Sequence, residues 1–253
     1  MRQRVLITAG ADGIGLEIAK CFLKKNALVW VADLNQNAID NLPKSINARC
    51  VDVCDEIGMK VLFDEISKTW GGLDVLCANA GIAGPTATID QIALSDWQHC
   101  LKVNLDGTFI AAKYAASIFK KQGSGVINIT SSTAGQYGYP NRSPYSTAKW
   151  GVLGLMKTLA MELGPFGVRV NAICPGAVEG ARMERVMTSE AKTSGQTRDE
   201  IYKGYAKGTS MQKWVEGLDI AEMAVFLASK EARFVSGQTI AVDGDTFNPN
   251  PQL

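Results

Sequence analysis

Short apolar runs alternate with longer stretches of helical periodicity along most of the chain. The runs Val5–Thr8, Leu28–Ala32, Ala48–Val51, Asp74–Ala78, Val126–Thr130, Arg169–Cys174 and Thr239–Val242 read as strands. Most are continuously apolar rather than alternating, the pattern of strands covered on both faces. Between them, helical patterns occupy 14–25, 55–70, 95–121, 144–164 and 218–229. Ser95 with Gln98, and Asp219 with Glu222, fit capping-box starts for two of these helices. Such β-α alternation predicts an α/β fold: a doubly wound, Rossmann-type parallel sheet of about seven strands with helices on both faces. No repeat or linker divides residues 1–253, so one domain is expected. The stretch 177–213 departs from the rhythm, with helical fragments near Ala181–Val186 and Thr197–Tyr205, and reads as a variable loop placed to cover a ligand.

Two segments in this frame carry chemistry. Thr8-Ala-Gly-Ala-Asp-Gly-Ile-Gly15 follows the first strand and opens the first helix. Glycines there admit a ligand close to the backbone, and free amides at a helix start attract phosphate. Ala9, Gly10, Asp12, Gly13, Ile14 and Gly15 are therefore candidate cofactor contacts. The second strand runs into Asp33, whose carboxylate suits a ribose diol and would repel a 2′-phosphate. No Arg or Lys stands at 11, 12 or just after 33, so NAD(H) is expected in preference to NADP(H). The second segment is Tyr145-Ser-Thr-Ala-Lys149, with Ser132 upstream. Side chains four apart on a helix share a face. A free phenol ionises near ~10 and a free ammonium near ~10.4, so neither alone transfers protons usefully at neutral pH. A fixed ammonium lowers the phenol toward that range.

Composition narrows the function further. With 26 basic and 25 acidic residues and no basic run, neither nucleic acid nor a charged membrane is an expected partner. No apolar run reaches the roughly 20 residues of a membrane span. The chain passes from Met1-Arg-Gln-Arg4 directly into the first strand, so no secretory leader and a cytoplasmic location are expected. Cys21, Cys50, Cys54, Cys77, Cys100 and Cys174 fit neither a disulfide framework nor a zinc pattern and read as buried thiols. His99 is the only histidine, which argues against a metal site and against a Ser-His-Asp triad.

The glycine loop, Asp33, Ser132 and the Tyr145/Lys149 pair together resemble the classical short-chain dehydrogenase/reductase family. Asn79-Ala-Gly81, Val103-Asn104, Pro175-Gly176, Ser236-Gly-Gln and Val242-Asp-Gly244 agree in order, and the likeness spans 5–245. The resemblance implies a catalytic tetrad of Asn104, Ser132, Tyr145 and Lys149. Tyr145 would exchange a proton with the substrate oxygen, Ser132 would hydrogen-bond it, and Lys149 would bind ribose and depress the tyrosine pKa. Asn104 would hold a water in a relay. Asp52 and Val53 would meet the adenine, Asn79, Ala80 and Gly81 the ribose side, and Pro175, Gly176 and Val178 the nicotinamide. The chain departs from the family at three points: Ala9 where a glycine is usual, Cys77-Ala78 before Asn79, and Gly244-Asp245 in place of a glycine pair.

The resemblance thus implies hydride transfer between NAD(H) and a small secondary alcohol or ketone. A silent dinucleotide-sensing regulator, or a lyase or isomerase on the same scaffold, is the alternative. Arg142 lies between Ser132 and Tyr145, where such enzymes usually contact substrate, and Arg182 lies in the 177–213 loop; the two would suit a hydroxy or keto acid, whereas Tyr139, Met183, Met187 and Trp214 would instead line an apolar pocket. Arg142 is otherwise expected to face solvent or to pair with Glu179 or Glu184. The helix 150–161 is apolar around most of its circumference, which predicts burial, and the family suggests packing across subunits of a homotetramer or homodimer.

Overall fold

The computed structural model describes residues 2–249. Seven strands form one parallel sheet in the order β3-β2-β1-β4-β5-β6-β7. They are β1 (Arg4–Thr8), β2 (Leu28–Asp33), β3 (Ile46–Cys50), β4 (Val75–Ala78), β5 (Gly125–Thr130), β6 (Val168–Pro175) and β7 (Thr239–Val242). The continuous apolar runs are explained by two cores. On β1, Leu6 enters a core on one face, while Val5 and Ile7 enter another on the opposite face. Helices α3 (Glu56–Trp70), α5 (Gly107–Gln122) and α6 (Ser143–Leu163) cover the first face through Met59, Leu62, Ala115, Val152 and Met156. Helices α1 (Gly13–Lys24) and α9 (Gly217–Ala228) cover the second through Ile18, Phe22, Ile220 and Leu227. Chain order reverses between β1 and β4, so a crevice opens beyond their carboxyl ends, where ligands bind in such sheets.

Several local expectations are corrected. The helix expected over 95–121 is broken into α4 (Leu94–Leu101), a π-helical turn at Lys102–Asp106, and α5. Inside the break, Asn104 Nδ2 donates to the Cys100 carbonyl (2.8 Å) and Thr108 Oγ1 to the Asn104 carbonyl (2.8 Å). Side chains inserted into the ladder in this way go with a widened turn. Ser95 does not cap α4, which starts behind Ala93 without a side-chain cap. The α9 box is set earlier, Glu216 with Asp219, and the Glu216 amide donates to Asp219 Oδ2 (2.8 Å). A short α2 (Gln36–Asp40) has no buried residue, hence no apolar stripe to announce it.

The 177–213 stretch is largely helical. It forms α7 (Ala181–Ser194) and α8 (Arg198–Lys207), both longer than the expected fragments. A Thr197–Glu200 capping box starts α8, and Met187, Ile201 and Tyr205 give the pair a core of its own. Tyr202 stacks on Trp214 at 4.6 Å. Cys50 is exposed and Cys54 half-buried, against the expectation of six buried thiols. Helix α6 is also less covered than its sequence suggests: Trp150 and Met161 stand 52% and 81% exposed. Burial within one chain therefore does not account for its apolar circumference.

Candidate active site

The crevice is a cavity of about 390 Å³ running from the β1–α1 loop to α7. Its first wall is built by glycine geometry. Asp12 caps α1, accepting from the Gly13 amide at 2.7 Å. A Cβ at Gly13 would meet nothing within 4 Å, so the space above the first helical turn is open. A Cβ at Gly15 would lie 2.0 Å from the Ala9 carbonyl oxygen, so only glycine lets loop and helix approach this closely. Ala9 keeps the turn by adopting a left-handed φ of 49°. The Asp33 carboxylate accepts from the Ala11 amide (3.0 Å) and the Asn35 amide (3.0 Å), one bond to each oxygen. Each oxygen retains a lone pair for a ribose hydroxyl. An open helix start beside a diol acceptor fits a dinucleotide, whose pyrophosphate the loop amides would hold.

Asn79 joins the wall to the sheet. Its Nδ2 donates to the carbonyls of Thr8 (3.3 Å) and Ala9 (3.2 Å), and its Oδ1 accepts from Thr130 Oγ1 (3.2 Å). The Asn79 and Ala80 amides both donate to the buried Thr8 Oγ1 at 3.0 Å. Thr8 and Thr130 are thus structural partners that motif reading passed over.

Tyr145 and Lys149 sit on the first turns of α6, facing the end of β5. Lys149 is 2% exposed, and its Nζ donates to the Thr130 carbonyl (2.9 Å) and stands 5.7 Å from the Tyr145 ring centroid. Ser132, just past β5, is held by a turn in which its Oγ accepts from the Ala134 amide (3.1 Å). Burial pushes the Tyr145 phenol up. The charges of Arg182 and Lys149, a hydrogen bond with Ser132 and the charge of Arg142 outweigh it, leaving the phenol below its ordinary value. Burial lowers the Lys149 ammonium, and the neighbouring phenol opposes that shift without cancelling it. Asn104 is fully buried behind Gly81, and its Oδ1 has no protein partner. A Cβ at Gly81 would lie 2.6 Å from that oxygen and 3.4 Å from Lys149 Nζ, so the orphan acceptor faces the ammonium's surroundings.

The far end of the cavity is basic. Arg142 is buried rather than solvent-facing, and it pairs with Glu190 (3.5 Å), not with Glu179 or Glu184. Those two are engaged elsewhere: Glu179 accepts from Tyr202 Oη at 2.9 Å, and Glu184 pairs with Arg198. Glu190 also accepts from Tyr205 Oη, at 2.9 Å to each oxygen. Neither Glu190 nor Tyr205 was legible as a site residue, because both come from the stretch without strand or motif signals. Tyr139 lines the same end, with its Oη 2.9 Å from Thr133 Oγ1, and burial pushes its phenol up to about 12.

Ala9, Asp12, Gly13, Ile14, Gly15, Asp33, Asn79, Gly81, Pro175, Gly176 and Val178 line one cavity with Ser132, Tyr139, Arg142, Tyr145, Lys149 and Arg182. Gly10, Asp52, Val53, Ala80 and Asn104 do not line it. Gly10 packs behind the loop against Val31, Asp52 Oδ1 accepts from the Cys54 amide (2.8 Å), and Val53 packs against Gly107.

Residues 8–244 match the family described as enoyl-(acyl carrier protein) reductase. The chain is 36% identical over 253 residues to the uncharacterized oxidoreductase YxjF of Bacillus subtilis, covering 96% of this chain and 98% of the relative. It is 32% identical to trans-4-hydroxycyclohexanecarboxylate dehydrogenase of Sinomonas cyclohexanicum, covering 94% and 90%. Among solved structures, NAD+-bound xylitol dehydrogenase superposes with a TM-score of 0.93 at 26% identity, covering 96% of this chain and 98% of the other. ElxO with NADP bound gives 0.85 at 29% identity, covering 96% and 98%.

Proposed function

This chain belongs to the short-chain dehydrogenase/reductase family of oxidoreductases, and from that premise we propose that it is an NAD(H)-dependent enzyme interconverting a secondary alcohol and a ketone. One observation carries the reading. The Tyr145 phenol, held below its ordinary value, shares a cavity with a glycine loop and a ribose-type carboxylate. When bound, the nicotinamide supplies the hydride acceptor for an alcohol or the hydride donor for a ketone.

The chain's residues do the rest. In oxidation the Tyr145 phenolate takes the hydroxyl proton as the carbinol C–H bond breaks and the C=O bond forms. In reduction the Tyr145 hydroxyl gives that proton to the nascent alkoxide. Ser132 orients the substrate oxygen, and Lys149 keeps the phenol acidic by its charge, while the N–H groups it does not spend on the Thr130 carbonyl would hold the cofactor's ribose. Asn104 Oδ1 is the acceptor for a water that relays protons from Lys149.

NAD(H) is preferred because the cavity's basic lining residues, Arg142, Lys149, Arg182 and Arg185, all come from α6, its N-terminal approach or α7. None of them belongs to β2 or its loop, where a 2′-phosphate would need a cation. One relative, trans-4-hydroxycyclohexanecarboxylate dehydrogenase, is named for a hydroxy acid, which favours the arginines as substrate contacts.

We infer a homotetramer or homodimer closed over the outer faces of α5 and α6. Phe109, Trp150 and Met161 are 49%, 52% and 81% exposed there, and Phe166, in the turn that follows α6, is 42% exposed. A cytoplasmic site of action accords with six free thiols and with no helix long and apolar enough to cross a membrane among the described residues.

The test is Tyr145→Phe, followed as NADH absorbance across alcohols and ketones. The ring stays and the proton goes, so cofactor binding is expected to persist while kcat falls by about 100-fold or more. Full turnover by the variant would remove Tyr145 from the reaction.

A further inference from the structure

Charge along the cavity is uneven. Asp12 and Asp33 stand at the β1–β2 end, and beyond them stand four cations with a single further carboxylate, Glu179, which accepts from Tyr202 Oη. Two of those cations, besides Lys149, stand against the ring of the reacting phenol: the Arg142 and Arg182 guanidinium carbons lie 5.1 and 5.7 Å from the Tyr145 ring centroid.

Their bonding is incomplete. Arg142 is 6% exposed, with Nη2 on the Ala83 carbonyl (3.1 Å), Nη1 at 3.5 Å from Glu190 Oε1, and a buried Nε without any protein partner. Arg182 donates to the Gly81 carbonyl (3.3 Å) and forms no ion pair among the described residues. A buried guanidinium with an unfilled donor carries a desolvation penalty that an anion would relieve. Glu190 relieves only part of it, since its one contact to Arg142 is long, 3.5 Å to Nη1, and does not reach Nε.

We propose that the substrate is a short hydroxy or oxo acid whose carboxylate is held by the Arg182 guanidinium and by the part of Arg142 that lines the cavity, with Glu190 as the positioning residue for Arg142. This deepens the hydride-transfer reading and rests on it. At the clamp itself the two guanidiniums exceed Glu190 by one charge, which suits a monoanion, and Glu179, the other carboxylate at this end, is engaged by Tyr202 Oη. A dianion would place surplus negative charge beside the Tyr145 phenolate. Both guanidiniums lie within 6 Å of the ring, so the carboxylate stands only a few bonds from the carbon that changes oxidation state. The chain therefore takes 2-, 3- or 4-oxo acids and the corresponding hydroxy acids.

The experiment pairs each acid with a neutral shape-mate in which acetyl replaces carboxylate. Pyruvate is set against butane-2,3-dione, acetoacetate against pentane-2,4-dione, and levulinate against hexane-2,5-dione, all with NADH and the full-length protein. For at least one pair the acid is expected to exceed its partner in kcat/KM by about 10- to 100-fold, the range for charge-assisted hydrogen bonds. Arg182→Gln is expected to collapse that ratio, chiefly by raising KM for the acid. Arg142→Lys keeps the charge in the buried position but loses the fork, and should weaken the same preference.

Diketones reduced as well as the acids, or a ratio untouched by Arg182→Gln, would overturn the clamp and leave hydride transfer standing. If NADH reduces none of the six compounds, calorimetric binding of the three acids to the NADH-bound protein decides. Binding lost in Arg182→Gln upholds the clamp while the reaction reading fails, and absence of binding overturns the clamp.

Discussion

Ala9 is a perturbation whose sign the backbone fixes. It holds a φ of 49° in the turn that shapes the cofactor loop, a conformation that costs an L-residue with a Cβ about 1–2 kcal/mol. Glycine occupies it without that cost. The turn is pinned independently of the methyl group: the Ala9 amide donates to the Ala32 carbonyl at 2.7 Å, and its own carbonyl accepts from Asn79 Nδ2 at 3.2 Å. Ala9→Gly therefore retains the geometry and removes the strain.

Two smaller effects oppose the gain. Glycine's freer unfolded chain costs roughly 0.4–1 kcal/mol, and the half-buried methyl contributes about 0.4 kcal/mol, half of a buried methylene. The net expectation is stabilisation of about 0.5 kcal/mol, or roughly 1–2 °C for a chain of this length. Ala9→Val should move the other way by about 1 kcal/mol or more, because branching at Cβ worsens the left-handed clash. Urea unfolding of the cofactor-free protein at matched concentration, followed by tryptophan fluorescence, measures both. Stability unchanged or lowered in Ala9→Gly, with Ala9→Val neutral, would refute the left-handed turn.

The sheet was readable because parallel strands buried on two faces leave uninterrupted apolar runs, and Leu6 and Ile7 serve opposite cores. Helix α1 was readable because the glycine loop and the apolar spacing of Ile18 and Phe22 announce it together. The π turn was not, since a widened helix keeps nearly the same apolar spacing. Its cause, Asn104 and Thr108 bonding back into the ladder, is a side-chain choice that periodicity does not record. Nor was the basic end of the cavity fully readable. Arg142 was visible as a residue before Tyr145, but its partner Glu190 lies 48 positions away on α7. Only the packing of α7 and α8 over the cavity makes a buried pair of what spacing presents as an exposed arginine.

Two further predictions concern cofactor choice and proton transfer. Asp33→Asn removes a charge while keeping an acceptor, so the ratio of NADP(H) to NAD(H) dissociation constants should fall by about tenfold or more, read by NADH and NADPH fluorescence. A ratio unchanged in a variant with wild-type melting would sink the ribose role. Proton transfer has a direction that the site's charges determine. Alcohol oxidation needs the Tyr145 phenolate, so kcat/KM should rise with pH along a limb whose midpoint lies below the ~10 of a free phenol. Ketone reduction needs the protonated phenol and should fall along the same limb. Arg182 is foremost among the charges that lower this phenol, ahead of Lys149 and Arg142. Arg182→Gln should therefore move both limbs to higher pH, slowing oxidation at neutral pH more than reduction. A substituted enzyme whose limbs stay in place would show that the guanidinium's charge does not reach the proton, however close the ring stands to it.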